Sequence, residues 1–194
     1  MADAPTIEAK DRAAWRRWLS RHHARDGGVW LVLHKKGSTT GSLSYEDAVN
    51  EALCFGWIDS KARTLDDERY TIWMSPRKRG SVWAVTNKRR IERLIEEGAM
   101  TEAGMAVIEA AKADGSWSAY DAVEALELPD DLLAAFGRRP GSRERWDAFP
   151  ESVRKQALWW IVSAKREATR AARVEETAAR AARNERVTDR PAKG

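Results

Sequence analysis

Apolar residues recur at helical spacing over residues 7–24. Ile7, Ala14, Trp15, Trp18 and Leu19 fall on one face and Gly27-Gly28 stops the run, so the spacing predicts a helix there. Val29-Trp30-Leu31-Val32-Leu33-His34 is short, apolar and rich in β-formers, the pattern of a buried strand, and Gly37 to Gly41 reads as a turn. Ser44 with Asp47 three residues on forms a helix-start signal. The helix that follows turns Ala48, Val49, Ala52 and Leu53 inward and ends at Gly56. Trp57 to Arg63 alternates as a half-buried strand does. Asp66-Asp67 marks a turn, and Arg69 to Met74 returns as the hairpin partner, broken by Pro76.

Beyond this hairpin the period is helical throughout. Helices are expected from near Ser81 to Glu97 and over 102–113, with Gly115 to Tyr120 as a connector. Pro129, Gly137, Pro140 and Gly141 punctuate short helices over 120–149. Pro150 suits the first residue of a helix in which Val153, Ala157, Trp160, Ile161 and Ala164 share a face. Residues 166–186 form an alanine- and arginine-rich helix, with Glu176 four residues before Arg180. Its inward residues are mostly alanine, so this helix is expected to dock loosely or project, and 188–194 to be disordered. The pattern as a whole gives an α+β fold, with a small antiparallel sheet of about three strands packed by helices and an all-helical C-terminal half. Residues 1–98 would be the mixed part, and 99–187 a helical region of the same compact unit sharing its core.

Composition narrows the class. The chain has 194 residues, 43% apolar and 33% charged, which suits a globular protein able to bury roughly 70% of its unfolded surface. Its net charge of +4 attracts anions in general without choosing among them. Cys54 is the single cysteine, so no internal disulfide forms and a reducing compartment is expected. Charged residues are spread through Met1 to Trp18, and the longest uncharged apolar stretch, Gln156 to Ala164, is far short of the ~20 residues of a membrane helix. The expected location is therefore the cytoplasm, with no membrane span.

Ten tryptophans is an unusual number, and Trp57, Trp73 and Trp83 fall together with many charges in residues 54–93. Trp83, Asn87 and Arg90 lie at i, i+4 and i+7, one face of a helix, and the cationic loop Arg77-Lys78-Arg79 leads into that helix. Backbone N–H groups at a helix start favour an anion. The candidate ligand-binding set is therefore Trp57, Asp59, Trp73, Arg77, Trp83, Asn87 and Arg90. In it the arginines neutralise an anionic ligand, the tryptophans wall the pocket, and Asp59 and Asn87 orient hydrogen bonds. The competing reading is structural, with Trp57 and Trp83 in the core and Asp59 paired to Arg77 or Arg90.

A different class of function, an enzyme or small-molecule sensor, would use Cys54 as nucleophile, which needs a lowered thiol pKa and a nearby base. A third would be nucleic-acid binding through Arg77, Lys78, Arg79, Lys88, Arg89, Arg90 and Arg93 with Trp73 and Trp83 interleaved. His22-His23 point about 100° apart on a helix, and no zinc, nucleotide or hydrolase motif accompanies them. No metal, cofactor or catalytic residue is assigned.

The segments Trp30-Leu31-Val32-Leu33-His34-Lys35-Lys36-Gly37, Ser44-Tyr45 and Glu51-Ala52-Leu53-Cys54-Phe55-Gly56-Trp57-Ile58-Asp59-Ser60 resemble the YdeI/OmpD-associated family of bacterial proteins. The similarity continues through Pro76-Arg77, Ser81, Trp83, Asn87, Arg90, Leu94, Gly98 and Met100, and resumes at Trp160-Ile161, Ala164-Lys165-Arg166, Thr169-Arg170 and Arg173. It spans about residues 15–185. The resemblance implies a stress or defence protein linked to resistance against cationic antimicrobial peptides or bacteriocins, and to association with an outer-membrane porin. It implies no catalytic residues. The family often has serine after the position of Trp83, where this chain has Ala84. A net charge of +4 argues against direct sequestration of cationic peptides, so any protection would run through regulation or an internal partner.

Overall fold

The computed structural model describes residues 4–35 and 43–187. The turn expected at Gly37 to Gly41 and the tail at 188–194 lie outside the described residues. The chain divides into two compact units, Met1–Ala119 and Tyr120–Gly194.

The first unit carries a four-stranded sheet in the order β1-β2-β4-β3. Strands β2 (Val29–His34), β3 (Trp57–Thr64) and β4 (Arg69–Pro76) are the three expected antiparallel ones. The fourth, β1 (Thr6–Glu8), pairs parallel to β2 with Ile7 opposite Leu31. The helix expected from residue 7 starts later, as α1 (Arg12–His22). The Asp11 side chain accepts from the Ala14 N–H at 2.7 Å and so fixes the first turn. Ile7 is then free to extend along β2, and its apolar side chain packs beside the sheet rather than on the helix.

One face of the sheet builds the core. Leu31, Leu33, Ile72, Met74 and Trp57 meet Trp15 and Leu19 of α1 and Val49 and Leu53 of α2 (Tyr45–Cys54). Ile91 and Leu94 of α3 (Val85–Glu96) and Ile108 of α4 (Glu102–Ala113) join the same cluster. Each such side chain contributes roughly 1.5–3 kcal/mol on burial. Two of the buried indoles have their polar edge satisfied here: Trp15 Nε1 donates to the Ala48 carbonyl at 3.1 Å and Trp57 Nε1 to the His23 carbonyl at 2.9 Å. The buried Glu51 carboxylate accepts from Arg12 Nε at 2.6 Å and Arg16 Nη1 at 2.7 Å, tying α1 to α2.

The expected single compact unit divides at 119/120, and α4, grouped by expectation with the helical C-terminal region, belongs with the sheet. Thr101, its N-cap, donates its hydroxyl to the Cys54 carbonyl at 2.6 Å. Gly104 sits so close to α2 that a Cβ there would lie 2.3 Å from the same oxygen. Helix α3 starts at Val85, later than expected. Residues 78–81 are taken up by a turn in which the Ser81 N–H donates to the Lys78 carbonyl at 3.1 Å. Its N-cap, Ala84, is extended and makes no side-chain cap.

The second unit is helical: α5 (Asp121–Glu124), α6 (Asp130–Gly137), α7 (Ser142–Ala148), α8 (Glu151–Val162) and α9 (Glu167–Ala182). Pro150 is the N-cap of α8 rather than its first residue. The unit has its own buried cluster, including Leu132, Phe136, Trp146, Leu158 and Ile161, so the expected single shared core is replaced by two. The expectation that the last helix docks loosely is also corrected. Val174, Thr177, Ala178 and Ala181 of α9 are buried against α6, α7 and α8. Small alanine side chains let the backbones approach closely. Ion pairs from Glu175 to Arg138 and Arg139, and from Arg170 to Asp131, hold the helix at its rim.

Candidate functional site

The loop after β4 is anchored where the Arg77 N–H donates to the Gly56 carbonyl at 2.9 Å. Pro76 can donate no backbone hydrogen bond, so the strand ends there and the chain turns. Arg77 folds its side chain back along the loop. Its Nη2 donates to the Val82 carbonyl at 2.7 Å, and its guanidinium lies 3.5 Å from the ring centroid of the buried Trp83. The Trp117 indole packs 5.1 Å from Trp83, with Lys88 and Lys112 at 5.2 and 5.9 Å from the Trp117 ring.

Arg77 and Trp83 border a cavity of about 130 Å³ lined also by Lys78, Arg79, Ser81, Asp114 and Ser116, among others. Burial pushes the Arg77 guanidinium down to about 10, with the charge of Asp59 opposing the shift. Its Nε is buried and has no hydrogen-bond partner. Asp114 accepts from the Ser116 N–H at 3.0 Å and lies 3.7 Å from Arg79. Ser116 and Arg79 hold its carboxyl below the usual carboxylate range.

Beside this pocket a second polar cluster is fully paired. Arg90 grips Glu46 through Nε at 3.0 Å and Nη2 at 2.6 Å, and donates from Nη1 to Asn87 Oδ1 at 2.9 Å. Tyr45 donates its hydroxyl to Asp59 at 2.9 Å, and burial, then the Asp59 bond, push its phenol up to about 12. Asp59 acts electrostatically on both Arg77 and Arg90, so Asp59, Arg77, Trp83, Asn87 and Arg90 come together in one region. Only Arg77 and Trp83 of these border the cavity.

The other two expected site residues lie elsewhere. Trp57 is wholly buried in the core. Trp73 lies on the opposite side of the sheet, across from Trp30 in the strand register. The alternation of β4 explains both: Ile72 and Met74 point into the core, so Trp73 between them points away. Asp114, Ser116 and Trp117 escaped sequence reading because Gly115 marked the segment only as a connector. Their signal was a tryptophan directly beside a helix-ending Asp-Gly-Ser.

Cys54 is fully buried. Desolvation first, and then the charge of Glu51, push its thiol up, and Arg16 only partly offsets this. Both effects keep the thiol protonated, the reverse of what a nucleophile needs. His22 and His23 direct Nδ1 to carbonyls of their own helix, at 2.7 and 3.2 Å. Among the described residues no group of three His, Cys, Asp or Glu is placed to hold a metal. No helix among them is long and apolar enough to cross a membrane.

The basic run of 77–93 is dispersed in space. Arg77 is stacked on Trp83, Lys88 is buried, Arg90 is clamped by Glu46, and Arg93 lies 3.5 Å from Glu46 and 3.7 Å from Glu97.

Two family models match the chain. One, described as Domain of unknown function (DUF8412), covers residues 7–107. The other, described as Bacteriocin-protection, YdeI or OmpD-Associated, covers residues 125–184. The resemblance read over 15–185 is thus matched by that family in the second unit, while the Cys54-Phe55-Gly56-Trp57-Ile58-Asp59 segment falls within the first match. No curated protein and no solved structure matches the chain. By the extent of these matches, the chain belongs to the family described as Domain of unknown function (DUF8412), with a Bacteriocin-protection, YdeI or OmpD-Associated segment over residues 125–184.

Proposed function

We propose that the protein is a cytoplasmic, non-catalytic binding protein of bacterial stress defence. The Arg77–Trp83 pocket takes a small ligand bearing a phosphate or carboxylate group, and a protective role follows from that binding or from a protein partner. The observation that carries the reading is Arg77: a half-buried cation whose Nε is buried and unpartnered, bordering a cavity, and among the described residues without a carboxylate hydrogen-bonded to it. Desolvating a charge is costly, the charge of Asp59 offsets only part of that cost, and an anion entering the cavity would offset more of it. Lys78 and Arg79 at the rim, and the uncapped start of α3, favour the same sign of ligand.

The test is thermal unfolding in the presence of inorganic phosphate, nucleoside monophosphates and small carboxylates. A ligand that binds only the native state adds about 2.7 kcal/mol at a hundredfold excess over its Kd. At least one of these anions should raise Tm, and Arg77→Met and the rim pair Lys78→Gln/Arg79→Gln should each remove the gain. A flat series, or a gain indifferent to both variants, refutes the pocket.

A further inference from the structure

The sheet face turned away from the core is built unlike an ordinary solvated surface. Trp30 and Trp73 stand opposite each other on its two central strands, β2 and β4. Their ring centroids are 5.1 Å apart at 65°. Both are half-buried, yet neither belongs to either core cluster. Trp73 lies across Gly28, so closely that a Cβ there would come within 2.6 Å of the ring. The glycine thus gives the indole a flat seat on the backbone.

Two exposed cations of the edge strand β3 reach over this pair. Arg63 lies 4.2 Å from the Trp30 centroid, and Lys61 lies 5.6 Å from Trp30 and 5.8 Å from Trp73. Neither forms an ion pair among the described residues, whereas Glu8, in register with Val32 beside them, lies 3.8 Å from Arg69. A shift in the β3–β4 register between Asp59 and Ala62 brings the strand to this arrangement, with Arg63 opposite Thr71.

We infer that this face is a binding platform for single-stranded nucleic acid, with Trp30 and Trp73 stacking unpaired bases and Lys61 and Arg63 neutralising the backbone. The chemistry selects this occupant. An acidic peptide would use the two cations but leave the indole faces without a partner. A duplex would keep its bases stacked within itself. Aromatic side chains on the central strands of a sheet, rimmed by cations, offer flat rings to successive bases and charge to the phosphates between them. Arg63 already lies on Trp30, and a guanidinium plane can itself stack a base. This surface is separate from the Arg77 pocket and does not depend on it.

Fluorescence anisotropy of the full chain with a labelled oligothymidylate of about fifteen nucleotides tests the inference. The oligonucleotide should bind at low salt, and log affinity should fall with log salt at about −0.7 per phosphate contacted. Trp73→Ala should weaken binding about tenfold. The exposed pair Lys61→Gln/Arg63→Gln should flatten the salt slope by about 1.4, whatever Trp73→Ala does to folding. Arg77→Met should leave binding unchanged, which separates this site from the pocket. Absence of binding, or binding indifferent to both the tryptophan and the cation variants, overturns the inference. So does equal competition by a duplex of the same length, by polyglutamate or by anionic vesicles.

Discussion

Arg77 is the residue whose energetics and role pull in opposite directions. Its side chain is half-buried, stacked on Trp83 and left with a buried, unpartnered Nε. Replacing a buried ion with an apolar side chain of similar volume is often neutral or stabilising. Arg77→Met should therefore leave the ligand-free protein as stable as the parent, or up to about 2 kcal/mol more stable, in urea titrations. A loss of 2 kcal/mol or more would mark Arg77 as a structural pin instead. Tyr45 gives the pH test. Its phenol titrates at about 12 in the native state against 10.0 ordinarily, so between these values the unfolded chain loses the proton first. The stabilisation is complete below pH 10 and is lost as pH rises through about 12. Tyr45→Phe should remove that fall, seen by comparing the urea midpoints of the two proteins at pH 9 and pH 11. Arg77, which titrates at about 10 instead of 12.5, acts with the opposite sign over part of the same range, but is common to both proteins.

Among the described helices of the first unit, α3 is the one whose start has no side-chain cap. Ala84 has the extended backbone of an N-cap, φ −70° and ψ 145°, but no side chain to accept a first-turn N–H. Ser44, Asp11 and Thr101 perform that task for α2, α1 and α4. Ala84→Ser should raise the unfolding free energy by about 1 kcal/mol, measured by chemical denaturation. An unchanged midpoint would show that the first-turn N–H groups are already satisfied. Helix α2 was legible because its cap is local: Ser44-x-x-Asp47 brings both partners within three residues, whereas the Asp11 cap of α1 went unread and that helix was placed five residues too early. Helix α3 was placed four residues too early because nothing in Ser81-Val82-Trp83-Ala84 announces that the chain stays extended until Val85. Strand β1 was hidden for the same kind of reason. Three residues hold no period, and their pairing partner lies more than twenty positions away.

For the whole molecule, two separate buried clusters mean two separate sources of stability. Residues 1–119, produced alone, should keep a cooperative thermal transition and native far-UV circular dichroism, because α4 is included and the cluster from Trp15 to Ala111 is complete. A fragment ending at 98 should not, since it lacks Ile108 and the Thr101 and Gly104 contacts with Cys54. If 1–119 fails to unfold cooperatively, the first unit depends on the second. The two family matches fall one within each unit, 7–107 and 125–184.

The sequence alone determined the α+β class, the β3–β4 hairpin, most helix positions and the clustering of tryptophan with arginine, since each rests on periods and caps a few residues long. Tertiary structure decided which of those side chains meet. It placed Trp57 in the core, turned Trp73 to the far face beside Trp30, paired Arg90 with Glu46, and brought Asp114 and Trp117 to the Arg77 pocket. One step along a strand reverses the face a side chain presents, and partners forty residues apart meet only when helices dock. Neither outcome leaves a mark in local spacing.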